Sequence, residues 1–157
     1  MNPRINYNQH SPNLIKKLFE LSQLSSQGSL GRTLTDLVHI RASQLNGCAF
    51  CLDMHVKEAK IHGERELRLY HLSIWRESPL FSEKERAALE WTEAVTKLSA
   101  PISDDLYDRM RLHLSEKEMA DLTFAIGIIN FWNRLNISSP TTPGSLDAML
   151  ELTGAGL

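Results

Sequence analysis

Three side chains able to carry acid–base and redox chemistry fall close together in the sequence: Cys48, Cys51 and His55. On a helix they stand at i, i+3 and i+7, which at about 100° per residue places them within roughly 60° of one another. A sulfur at a helix N-terminus is stabilised as thiolate by unpaired N–H groups and the positive end of the dipole, and a nearby imidazole can take or hold its proton. Such a pair can cycle between dithiol and disulfide. The chain has only 2 cysteines, so a framework of disulfides closing long loops is excluded and whatever they do is local.

Plainer alternatives exist. Both cysteines could be buried small hydrophobes and His55 a core histidine. Cys48, Cys51 and His55 could also hold zinc, with His39, His62 or an acidic side chain as fourth ligand, but the second Cys/His pair of a closed structural site is missing. Leu52 follows Cys51, which breaks the c-type haem motif, and His62-Gly63-Glu64 comes after the cysteines, the reverse of the zinc-deaminase order. The remaining histidines, His10, His39, His71 and His113, stand in polar contexts typical of surface residues. No metal and no cofactor is expected.

The elements that must position the cysteines all read as helices. Ser11-Pro12 has an N-cap with proline at the first helical position, followed by Leu14, Ile15, Leu18 and Leu21 at helical spacing as far as the turn at 25–28. A second helix is expected from about Thr33 to Leu45, closed by Asn46-Gly47. A third opens at Cys48 and runs to Ile61, with Asp53, Lys57 and Lys60 on a charged arc and Leu52, Val56 and Ala59 opposite. That arrangement puts the thiols at the edge of the core, reached through a narrow pocket. Capping boxes at Ser82/Glu85 and Ser115/Glu118 begin two later helices of roughly 16 and 20 residues. Shorter pieces fit 64–72 and 104–113, the latter capped by Ser103, and prolines 79, 101, 140 and 143 punctuate the joints. The run at 122–132, LTFAIGIINFW, is apolar nearly all round, as for a core or oligomer-interface helix, with Gly127 permitting close approach. No stretch alternates like a strand, so the fold class is all-α.

The length of 157 residues fits one domain, 1–157, with an irregular tail from about 137 rich in Ser, Thr, Pro and Gly. Hydrophobic residues at 42% and charged residues at 23% are a globular mix, which argues against disorder. A net charge of −2 and the lack of a basic run with interleaved aromatics argue against nucleic acid as a partner. The N-terminus lacks an apolar signal region and the longest apolar stretch is about half of a roughly 20-residue span, so a cytoplasmic protein without membrane attachment is expected.

The segment LVHIRASQLNGCAFCLDMHVKEA resembles the core motif of the AhpD-like alkylhydroperoxidases within the carboxymuconolactone decarboxylase family. The stretches RLYHLSIWRESPLFSEKERAALEWTEAVT and DLTFAIGIINFWNRL extend the likeness from Arg4 to about Leu135, leaving only the tail outside it. The resemblance implies a single-domain helical bundle assembled into trimers or hexamers, and peroxide reduction through the Cys-x-x-Cys pair. By position, Cys51 resembles the cysteine oxidised to sulfenic acid, Cys48 its disulfide partner and proton donor, and His55 the histidine of a proton relay. Asp36 occupies the place of the relay glutamate. Asp36 is one methylene shorter than that glutamate, and Phe50 stands where AhpD itself has a histidine between the cysteines.

Without the resemblance Asp36 would be read as solvated, because Leu34, Leu37, Val38 and Leu45 form a stripe on the other side of its helix. Glu58, seven residues after Cys51 on the same side, is a competing carboxylate, read as solvated two turns from the helix start and ranked below Asp36 on the resemblance alone. The expected activity is therefore a thiol-dependent peroxidase that takes a peroxide substrate and is reset by a dithiol, thioredoxin-like or lipoyl reductant. Two alternatives remain: a redox-sensing or non-catalytic oligomer, and the lactone decarboxylation that names the wider family.

Overall fold

The computed structural model describes residues 4–155, so Met1–Pro3 and the last two residues, which the expected 1–157 domain includes, lie outside the described residues. Among the described residues there are eight α-helices and no strand: α1 Tyr7–His10, α2 Pro12–Ser26, α3 Arg32–Asn46, α4 Ala49–Ile61, α5 Glu66–His71, α6 Glu83–Lys97, α7 Asp104–Arg111 and α8 Glu116–Ser138. Short 3-10 turns follow at Leu72–Ile74 and Thr153–Ala155. None of these helices is long and apolar enough to cross a membrane.

Local signals set most boundaries. Both capping boxes form: the Ser82 and Ser115 hydroxyls accept the N–H of Glu85 and Glu118, whose carboxylates accept from the cap N–H in return. Pro12 begins α2, although the Ser11 hydroxyl makes no capping bond. Ser103 caps α7 through the Leu106 N–H.

The helix α3 is the centre of the bundle, packing against α4, α6 and α8. Its Leu34 and Val38 join Ala88, Trp91, Leu122 and Ile126 in one apolar cluster. Its Leu37 and Ile40 join Ala59, Leu72, Trp75 and Leu89 in a second. A helix buried on two faces cannot stay narrowly amphipathic, and the polar groups it buries are paired. Ser43 and Asn133 are fully buried, and Asn133 accepts from Asn46 Nδ2 at 2.8 Å while donating to Ser43 Oγ at 3.1 Å. Glu93 on α6 accepts from Arg41 of α3, from Trp75 Nε1 and from Arg76.

The apolar run in α8 divides. Leu122, Ala125, Ile126 and Ile129 face the core, whereas Phe124 and Phe131 are 64% and 54% exposed. With Leu18 and Leu21 of α2, Trp91 and Tyr107, they border an apolar groove of about 710 Å³. A Cβ at Gly127, in that groove, would meet nothing within 4 Å, so among the described residues no neighbour uses the close approach this glycine permits.

Candidate functional site

The chain reaches Cys48 through a sharp stop at the end of α3. Gly47 adopts φ 70° and ψ 30°, a left-handed conformation that glycine enters without steric cost, and the Gly47 and Cys48 N–H groups donate to carbonyls of the last α3 turn. Because Asn46 is pinned to Asn130 and Asn133 of α8, the turn that delivers Cys48 is fixed from both sides.

Cys48 is the N-cap of α4. Its extended backbone lets Sγ accept the Cys51 N–H at 3.3 Å, the role a serine oxygen plays at other helix starts. The two sulfurs are joined as a disulfide. Both are buried, 2% and 1% exposed, in a small apolar cluster with Phe50, against which Met54 and two tail residues, Leu146 and Leu150, pack. Among the described residues no group of three His, Cys, Asp or Glu side chains is arranged to hold a metal ion.

His55 lies one turn beyond Cys51 and is itself buried. Its Nδ1 is 2.6 Å from Glu58 Oε2. Burial pushes the Glu58 carboxyl upward, but the His55 hydrogen bond and the charges of His55, His62 and Arg32 outweigh it and bring the group below its ordinary value. An ionised carboxylate only accepts, so Nδ1 carries the proton in this contact, and whenever the ring is neutral Nε2 is the acceptor.

The structure places Asp36 differently from a solvated residue: it is 6% exposed, and Oδ2 is 2.7 Å from Nδ1 of His62 at the end of α4. Burial raises its carboxyl above the usual range despite the opposing His62 bond. Asp36 therefore belongs to the same polar cluster and feels the charges of Glu58 and His55, but the carboxylate hydrogen-bonded to His55 is Glu58. Glu58 is not the free surface group its position two turns along α4 implies.

His39, whose sequence context predicts a surface residue, is only partly exposed and lies beside His55. Its ring lies 4.7 Å from the His55 ring, between α3 and α4, and desolvation, with the His55 charge behind it, holds its pKa well below the ordinary value. Seven residues separate His39 from Asn46, two helical turns, which puts both on the side of α3 facing the site; nothing in the local pattern of α3 marks which partner that side meets. Lys57 is the other surprise. The charged arc of α4 reads as solvated, yet Lys57 is 4% exposed, clamped between Asp53 at 2.8 Å and Asp147 at 2.7 Å. His71 pairs with Ser78 away from the cysteines, and His10 and His113 are exposed.

Residues 12–94 match the carboxymuconolactone decarboxylase family. YdfG of Bacillus subtilis, an uncharacterised protein, is 41% identical over 139 residues, which span 88% of this chain and 95% of YdfG. The uncharacterised YnjA of Escherichia coli is 35% identical over 108 residues, 68% of this chain and 59% of its own length. Among solved structures, an Agrobacterium tumefaciens protein of unknown function, provisionally named as the antioxidant defence protein AhpD, superposes with a TM-score of 0.86 at 40% identity, covering 90% of this chain and 98% of that one. The debrominase Bmp8 shares the fold at 20% identity, with a TM-score of 0.78 over 92% of this chain and 78% of its own.

Proposed function

Because the chain belongs to the carboxymuconolactone decarboxylase family and has the AhpD-like helical bundle, we propose that it is a thiol-dependent peroxidase working through Cys48 and Cys51. The observation that carries this reading is a buried Cys-x-x-Cys pair at the start of α4 with a carboxylate-held histidine one turn below it.

In the reduced protein, His55 Nε2 takes the proton of the Cys51 thiol, directly or through one water, and the imidazolium formed is stabilised by ionised Glu58. The Cys51 thiolate attacks the distal oxygen of ROOH. The O–O bond breaks, Cys51 becomes a sulfenic acid, and the proton held by His55 passes to the departing alkoxide to give ROH. Cys48 then attacks the sulfenic sulfur, expelling the hydroxyl as water and forming the disulfide. The N-cap position serves this second step, because the Cys51 N–H that Cys48 Sγ accepts favours the nucleophilic thiolate. A dithiol donor supplies the two electrons that restore both thiols.

The pair of a buried His55 with a half-buried Glu58 speaks for turnover over a passive disulfide, since a sensor needs no base beside the second cysteine. The test is consumption of an organic hydroperoxide in the presence of a dithiol. Turnover lost in Cys51→Ser supports the reading; no consumption by the reduced wild-type protein overturns it. The exposed phenylalanines of α8 and the groove beside them fit a homo-oligomer assembled through this face, in which a second copy covers them.

A further inference from the structure

The tail beyond α8 is pinned across the cysteines. Leu146 and Leu150 pack on the cluster formed by Cys48, Phe50 and Cys51. Farther along, Leu152 and Ala155 are 3% and 5% exposed, and the 3-10 turn that contains Ala155 packs against α4. Two polar anchors fasten the segment to the same helix. Lys57 Nζ bridges Asp53 of α4 and Asp147 of the tail, and the Gly144 N–H donates to Asp53 Oδ2 at 3.0 Å. Gly144 makes the turn that presents this N–H at φ 76°, where a side chain would be strained.

We propose that residues 140–155 form a latched cover that sets which reductants can reset the Cys48–Cys51 disulfide, admitting small dithiols and excluding protein-sized ones; this rests on the redox reading of that pair. Thiol–disulfide exchange needs the incoming thiolate to approach one sulfur opposite the S–S bond. Its sulfur bonds to Cys51, the S–S bond breaks, and Cys48 leaves as a thiolate at the α4 N-cap. The second thiol of the donor then displaces Cys51, and the donor departs as its own disulfide, having lost two electrons. With both sulfurs under two leucine side chains, a small dithiol needs only local movement of Leu146 and Leu150. A dithiol set in a broad protein surface needs the whole segment lifted, and the Asp53, Lys57 and Asp147 triad resists that. Lys57 is 4% exposed, so lifting the tail strips one of two carboxylates from a nearly buried ammonium and leaves it only Asp53.

The experiment compares reduction of the oxidised full-length protein by dithiothreitol and by reduced thioredoxin, with no peroxide present, by alkylating samples over time and following the mass shift. Asp147→Asn removes the latch charge while keeping the side-chain shape, and Leu146→Ala with Leu150→Ala opens the cover above an intact latch. Asp147→Asn is expected to raise the thioredoxin rate about tenfold and to leave the dithiothreitol rate within about threefold. The double leucine variant should accelerate both. Equal changes for the two reductants in Asp147→Asn, or no change in either, overturn the cover. Failure of peroxide turnover would leave these rates untouched, so the two proposals fail separately.

Discussion

His55 Nδ1 stands 2.6 Å from Glu58 Oε2, one turn apart on the same helix, while Asp36, in the position that the resemblance assigns to the relay carboxylate, bonds instead to His62. The charge on Glu58 is thus the one placed to hold an imidazolium at His55. Glu58→Gln keeps the shape and a hydrogen-bond acceptor but removes the charge. It should raise the apparent pKa of Cys51 by on the order of one unit and slow alkylation near neutral pH about tenfold. Asp36→Asn should have the smaller effect. The pH profile of Cys51 alkylation in the two variants checks this, and the reverse order would return the relay to Asp36.

His39, desolvated between α3 and α4, predicts a pH dependence of stability. Its folded pKa is depressed well below 6.5, so its contribution is complete above 6.5 and is lost as pH falls through the folded value. Asp36 acts with the opposite sign: its raised pKa gives stability that is full below 3.8 and is lost as pH rises through its folded value. Urea midpoints measured between pH 7.5 and 5.5 should therefore fall with acidification in the wild type and fall less in His39→Leu; parallel slopes would remove His39 as the cause.

Much of this architecture is written locally. The capping boxes at Ser82 and Ser115, the Asn46-Gly47 stop and the cysteine spacing each involve residues within a few positions of one another, so the sequence displays them directly. Lys57 shows where local reading ends, because its second carboxylate is Asp147, 90 residues away, and α4 alone looks like an ordinary helix with a charged face. His39 fails for the same reason, whereas the His55–Glu58 contact spans only three residues of one helix. What brings His39 onto His55 is the packing of α3 against α4, which no periodicity within either helix announces. The composition of the tail predicts an irregular segment, and its backbone is irregular, yet its leucines pack on the cysteine cluster.

The polar contact between α3 and α8 should be structural. Asn133→Ala takes the donor from fully buried Ser43 and one of two acceptors from half-buried Asn46, which keeps Asn130, and a buried group left unpaired costs about 1–3 kcal/mol. Because Asn46 also fixes the turn before Cys48, the variant should reduce the disulfide's resistance to dithiothreitol along with the denaturation midpoint. Loss of stability with unchanged reduction kinetics would separate this contact from the site.

Assembly through α8 predicts that Phe124→Glu combined with Phe131→Glu lowers the sedimenting mass at micromolar concentration, because each would place a charge in the apolar contact. A wild-type protein that sediments as a monomer would contradict the interface.

The most direct test of the account is a single-turnover titration of the fully reduced protein with an organic hydroperoxide, counting free thiols and trapping sulfenic acid in each cysteine variant. A dithiol peroxidase of this kind loses both thiols for each peroxide consumed, fails to react as Cys51→Ser, and leaves a trappable sulfenate on Cys51 as Cys48→Ser. Two thiols surviving excess peroxide, or a sulfenate trapped on Cys48, would contradict it.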